Sequence, residues 1–111
     1  MHGLTMSTRE TGAHDVVELR GELDIANAGQ VAAELTAICD RSPVVVLDLS
    51  ELGFVDSCGL EALVRTQRHA RKAGGEVRLA GLRPQARQVL RLSGWSTEFT
   101  VQVTDSQPIQ R

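Results

Sequence analysis

The chain has 111 residues, 41% of them apolar, and 12 Arg or Lys stand against 14 Asp or Glu for a formal net charge of −2. That length suits one domain whose core needs neither disulfides nor metals, and it leaves no room for a second. The slight negative charge argues against non-specific nucleic-acid binding, which draws on a basic surface to displace phosphate counterions.

Residues 1–13 carry no clear period and are expected to be a flexible N-terminus, or a short edge strand around Leu4 to Thr8. Val16, Val17 and Leu19 make Asp15 to Arg20 a strand, and Gly21 to Asp24 reads as the turn after it. From Ala26 to Arg41 the residues Ala28, Val31, Ala32, Leu35 and Ile38 recur at helical spacing, with Asn27 or Asp24 as cap and Pro43 as terminator. Val44 to Leu49 is apolar on both sides except for Asp48, the mark of a central strand in a mostly parallel sheet. Ser50 to Gly53 reads as the loop that follows.

A second helix is expected from Ser57 to Ala73, with Leu60, Leu63, Val64 and Ala70 on one stripe and Gly74-Gly75 as its stop. Arg65, Arg68, His69, Arg71 and Lys72 form a solvated face towards its C-terminal end, where cations suit the helix dipole. Glu76 to Ala80 alternates polar and apolar, as do Phe99, Val101 and Val103, so both read as strands. Between them Pro84 to Leu92 is a short helix, with Ala86, Val89 and Leu90 inward and Gly94 as terminator. The order is strand, strand, helix, strand, helix, strand, helix, strand. It predicts an α/β domain with a four- or five-stranded mixed sheet, about three helices and right-handed crossovers.

The stretch from Phe54 to Leu60, Phe-Val-Asp-Ser-Cys-Gly-Leu, sits where strand gives way to helix. Ser57 falls where an N-cap belongs, its hydroxyl within reach of the first unpaired backbone N–H groups. Gly59 has no Cβ, so another chain or a phosphate can approach the helix start, where the dipole presents partial positive charge. Ser57 therefore has two readings, an unmodified cap or a phosphoserine. As a catalytic nucleophile it lacks a base: His2 and His14 lie far upstream, and His69 is roughly 18 Å further along the helix. The motif is not Gly-x-Ser-x-Gly either. No catalytic residue, cofactor or metal site is expected, since Cys39 and Cys58 have no ligand spacing. No apolar run approaches the roughly 20 residues of a membrane span, and nothing upstream resembles a signal peptide. A reduced cytoplasmic protein without membrane or direct nucleic-acid partners is the expectation.

Gly21-Glu22-Leu23-Asp24, Val46-Leu47-Asp48-Leu49, Asp56-Ser57-Cys58-Gly59-Leu60, Gly74-Gly75 with Val77 and Leu79, and Ser93-Gly94 follow one another between about Val16 and Val103. On these residues the chain resembles the STAS domain of bacterial anti-sigma factor antagonists, whose phosphorylated Ser follows an Asp and precedes a small residue and Gly. The resemblance implies a STAS domain over residues 14–104 and a tail over 105–111. The further C-terminal helix of the family is not expected, because Thr104 to Arg111 is short and polar.

The resemblance also implies a mechanism. The unphosphorylated protein binds an anti-sigma factor with serine kinase activity and frees a sigma factor for transcription; phosphorylation of Ser57 releases it, and a phosphoserine phosphatase resets it. Asp56 would present Ser57 to the kinase, and Cys58 and Gly59 would complete the partner-binding surface. Asp24 is equally a helix cap or a part of that surface. Cys58 departs from the small Ser, Thr or Ala usual after the acceptor, and a thiol at a helix start can be reactive. The alternative, of a different class, is a constitutive STAS adaptor in a transporter or larger signalling assembly.

Overall fold

The computed structural model describes residues 3–11 and 14–102. They form strands β1 (Leu4–Glu10), β2 (Asp15–Leu23), β3 (Val44–Val55), β4 (Glu76–Ala80) and β5 (Thr100–Gln102), with helices α1 (Ala28–Cys39), α2 (Ser57–Lys72) and α3 (Pro84–Ser93) between them. This is the predicted order of elements, with one 3-10 turn added at Ser96–Glu98. Val103 and the tail, where a further helix was not expected, lie outside the described residues.

The five strands lie in chain order, β1-β2-β3-β4-β5. Only β1 is antiparallel to its neighbour, pairing Leu4 with Gly21 and Glu10 with Asp15. The rest of the sheet is parallel, with Val17 beside Leu47 and Leu47 beside Leu79. α1 packs on α2, and α2 packs on α3. On the sheet Val17, Leu19, Val45, Leu47, Leu49, Val77 and Leu79 are buried, and Leu35, Leu60, Leu63 and Leu90 join them in the same core. Each such side chain contributes about 2 kcal/mol relative to exposure. Between these buried positions β2 and β4 place half-exposed Glu18, Glu76 and Arg78, so alternation along the strands separates an apolar face from a wetter one.

Two expectations need correction. Gly21 to Asp24 is not a turn, and Ser50 to Gly53 is not a loop: β2 runs through Leu23 and β3 through Val55, paired Gly21 to Leu52, Glu22 to Phe54 and Leu23 to Val55. The pairing slips between Glu18 and Arg20 and again between Gly21 and Glu22. These irregularities break the two-residue period from which a strand is read. Leu52 and Val55 are the buried residues of that extension. Its effect is to carry the β3–α2 junction beyond the body of the sheet, alongside the end of β2.

Candidate functional site

The junction is built on two parallel strand ends. Asp56 N–H donates to Leu23 O at 3.2 Å, the last bond joining β2 to the chain entering α2. From there the backbone turns into the helix, and Leu60 N–H donates to Asp56 O at 2.9 Å. The cap is Asp56 and not Ser57: Asp56 is extended, with φ −102° and ψ −178°, and its carboxylate accepts from Gly59 N–H. That bond is 2.8 Å long. A carboxylate is the stronger acceptor here, because it meets both the orphan N–H and the positive end of the dipole.

With the cap supplied by its neighbour, Ser57 is the first helical residue, and it is exposed. Its hydroxyl makes no hydrogen bond to any described residue. Cys58 is half-buried. Gly59 is buried, and the close approach it permits is made by its own chain: a Cβ there would lie 2.6 Å from Leu23 O and 2.7 Å from Leu23 Cγ. The glycine expected to admit a partner or phosphate instead lets α2 start against the end of β2.

Asp24 lies one residue beyond the Leu23–Asp56 bond. Its Oδ1 accepts from Ala26 N–H at 3.0 Å, and its own N–H donates to Asn27 Oδ1 at 3.0 Å. Ala28 N–H also donates to Asp24 O, at 2.8 Å. Asn27 Nδ2 donates back to Glu22 O. These bonds hold the turn at residues 25–27, and Asn27 makes no side-chain cap bond to α1. A cavity of about 380 Å³ opens between this turn and β1, lined by Leu4, Met6, Asp24, Asn27, Gln30 and Glu34 among others; Ser57 does not line it.

Sequence reasoning missed Gln85. From the first turn of α3 its side chain spans Val55, accepting from Val55 N–H at 3.0 Å and donating to Val55 O at 2.9 Å. It supplies the bonds a neighbouring strand would make, two residues before Ser57. Gln67 does the same for Val77 from the buried face of α2, and also donates to Glu98 O. The sequence carried a signal for Gln67 alone, since it falls three or four residues from Leu63, Val64 and Ala70 on the apolar stripe.

The other reactive groups stand apart. His69 Nε2 lies 2.7 Å from Asp40 Oδ1, twelve residues along α2 from Ser57. Cys39 is buried at the end of α1, where burial first and the charge of Asp40 second push its thiol up to about 11. No helix among the described residues is long and apolar enough to cross a membrane.

A family model described as the STAS domain matches residues 5–107. BtrV of Bordetella bronchiseptica is 38% identical over 84 residues, covering 75% of this chain and 72% of that protein. An anti-sigma F factor antagonist of Lysinibacillus sphaericus is 31% identical over 110 residues, 97% of this chain and 91% of that one. Among solved structures, the Bacillus anti-sigma factor antagonist SpoIIAA superposes in its unphosphorylated form with a TM-score of 0.74 at 22% identity, covering 96% of this chain and 95% of that one. Its phosphorylated form gives 0.68 at the same identity, covering 96% and 98%.

Proposed function

The chain belongs to the STAS domain family, and from that premise we propose that it is an anti-sigma factor antagonist switched at Ser57. Unphosphorylated, it binds an anti-sigma factor with serine kinase activity, freeing a sigma factor for transcription. Phosphorylation of Ser57 ends the complex, and a phosphoserine phosphatase restores it. The observation that carries the reading is the exposed, unbonded Ser57 hydroxyl on the first residue of a helix capped by its neighbour. The named relative from Lysinibacillus supports the class of partner.

The chemistry asks little of this chain. Ser57 Oγ attacks the γ-phosphorus of ATP on the kinase, ADP leaves, and the hydroxyl proton passes to a base on the kinase. This chain's contribution is placement: the Leu23–Asp56 bond, the Asp56 cap and the Gln85 clamp hold the backbone on either side of the hydroxyl. Asp56 and Asp24 flank the acceptor, and Cys58 completes its exposed edge, while Gly59 acts through its packing on Leu23. The added phosphate carries about −1.5 to −2 charges. At a helix start these are favoured by the dipole, so the domain stays folded. The cost falls on the complex, where a dianion beside Asp56 must be desolvated against the kinase. About 1.4 kcal/mol of that cost lowers affinity tenfold.

The test is a set of three forms. Ser57→Ala binds the anti-sigma factor and takes no phosphate, whereas Ser57→Asp and the phosphorylated protein bind poorly. Equal affinity of all forms contradicts the switch.

A further inference from the structure

The two edges of the sheet are built differently. β5 is three residues long, a length that blunts an edge, whereas β1 at the other end runs for seven. β1 contains no Pro and no Lys, and its pairing with β2 is unbroken from Leu4 beside Gly21 to Glu10 beside Asp15, so no bulge twists it away. Backbone bonds just outside its two ends fix which groups face outward. Glu22 N–H donates to Gly3 O, and Thr11 N–H donates to His14 O, each at 3.0 Å. Along an antiparallel pair, hydrogen-bonded and non-hydrogen-bonded positions alternate. Gly3 and Thr11 are bonded to β2, and Thr5, Ser7 and Arg9 share their phase. Leu4, Met6, Thr8 and Glu10 therefore turn both N–H and C=O away from β2. No strand lies beyond them among the described residues, and these backbone groups make no hydrogen bond there.

Such an edge is a template for another strand, and its own sequence supplies a fitting one. Set a second copy antiparallel about a two-fold axis through Ser7. Leu4 then meets the copy's Glu10 and Met6 meets the copy's Thr8, all at hydrogen-bonded positions, so every outward N–H and C=O of β1 gains a partner. At the positions between, Thr5 faces the copy's Arg9 and Ser7 faces its equivalent. No charge opposes a like charge. An axis through Met6 leaves Glu10 beyond the copy's strand, and an axis through Thr8 does the same to Leu4; the axis through Ser7 uses the whole edge. Side chains permit the approach, since Thr5, Ser7, Thr8, Arg9 and Glu10 are exposed and only Leu4 and Met6 lean on the core. We propose that β1 is an interface between two copies of this chain, joining two five-stranded sheets into one. The contact is isologous and closes on itself, leaving no free β1 edge for a third copy. The Leu4 end of each β1, which pairs with Gly21 on the side of the Asp56 junction, meets the Glu10 end of the other. The two Ser57 hydroxyls therefore stand at opposite ends of the joined sheet, and the pairing holds whether or not Ser57 carries a signal.

Sedimentation equilibrium of the full chain from micromolar to millimolar concentration reads the association, and variants read its register. The mass rises from monomer to dimer and no further. Thr8→Pro deletes an outward N–H while sparing the β1–β2 ladder, and the symmetry removes two bonds at once, so the dimer weakens at least tenfold. Ser7→Lys sets like charges face to face on the axis and also weakens it. In a Cys58→Ala background, oxidised Ser7→Cys gives a disulfide-linked dimer. Non-hydrogen-bonded pairs hold their Cα atoms about 4.5 Å apart, within the disulfide range of about 4.4–6.8 Å. Thr5→Cys, which faces the copy's Arg9, does not crosslink. A chain that stays monomeric throughout and forms no Ser7→Cys crosslink overturns the interface. A dimer untouched by both Thr8→Pro and Ser7→Lys overturns it in favour of another surface, and crosslinking of Thr5→Cys as readily as Ser7→Cys overturns the axis. If the chain alone is monomeric and an added anti-sigma factor slows exchange of the Met6 and Thr8 amides, the second copy is overturned in favour of a partner's strand. Circular dichroism and urea midpoints equal to wild type at micromolar concentration separate lost pairing from lost fold.

Discussion

Replacing Asp56 separates its two roles, because the carboxylate both caps α2 and stands beside the exposed hydroxyl. In Asp56→Ala the Gly59 N–H loses its 2.8 Å acceptor. An N-cap carboxylate replaced by Ala costs about 1 kcal/mol, within a usual range of about 0.5–2. In a domain of this size that lowers the melting temperature by about 4 °C. In Asp56→Asn the side-chain oxygen still accepts, and only the charge near the dipole is lost, about 0.3–1 kcal/mol. Urea unfolding followed by circular dichroism should therefore rank wild type above Asn and Asn above Ala, with unchanged slopes. Affinity for the anti-sigma factor gives the second axis: Asn and Ala lose alike if the charge is what the partner reads, and Asn is spared if the cap geometry alone matters. Equal stability of wild type and Asp56→Ala refutes the cap, and with it the account of why Ser57 is left unbonded.

Gly59→Ala forces a Cβ to within 2.6 Å of the backbone oxygen Leu23 O, and overpacking against backbone belongs at the upper end of about 1–3 kcal/mol, above the roughly 1 kcal/mol of helix propensity Ala gains. A urea midpoint equal to or above wild type contradicts the close packing of α2 on β2. Gln85→Ala leaves Val55 N–H and C=O without partners. The variant should lose about 1–2 kcal/mol in thermal unfolding and exchange the Val55 amide faster by hydrogen-exchange NMR, and protection equal to wild type contradicts the clamp. The Cys39 thiol is raised from 9.0 to about 11, so the unfolded chain ionises first. Stability contributed by the neutral buried thiol is complete below pH 9 and is lost as pH rises through 11, by up to about 3 kcal/mol. The chain has no Tyr, one Lys and a second free thiol at Cys58, so the decline is assigned by variants: it persists in Cys58→Ala and is lost in Cys39→Ala, and a Cys39→Ala variant showing the same decline contradicts it.

The order of elements was readable because this chain punctuates them sharply. Pro43, Gly74-Gly75, Pro84 and Gly94 close or open segments whose apolar residues keep a clean period, and the strand Glu76–Ala80 was bounded as observed. The reading failed where pairing slips: Ser50, Glu51 and Gly53 look like a loop, yet they are strand because β2 continues beside them. Extended pairing between distant segments leaves no local signature once bulges disturb alternation. At the junction the motif was legible, but the assignment within it was one residue off. Both Asp56 and Ser57 are good caps by type, and only the backbone conformation shows that Asp56 holds the position. Gly59 marks a place of close approach by its type, while its neighbour, Leu23, is 36 residues away in sequence and leaves no local signal. Gln85 was invisible for the same reason, its partner Val55 being thirty residues upstream.

The central claim is most directly tested by titrating the purified anti-sigma factor kinase with two preparations of this chain, one unmodified and one carrying phosphate on Ser57 as verified by mass spectrometry. The account predicts at least a tenfold weaker complex for the phosphorylated preparation, with the fold of both unchanged. Binding of both preparations with one affinity would contradict it, and would favour a constitutive adaptor in which Ser57 carries no signal.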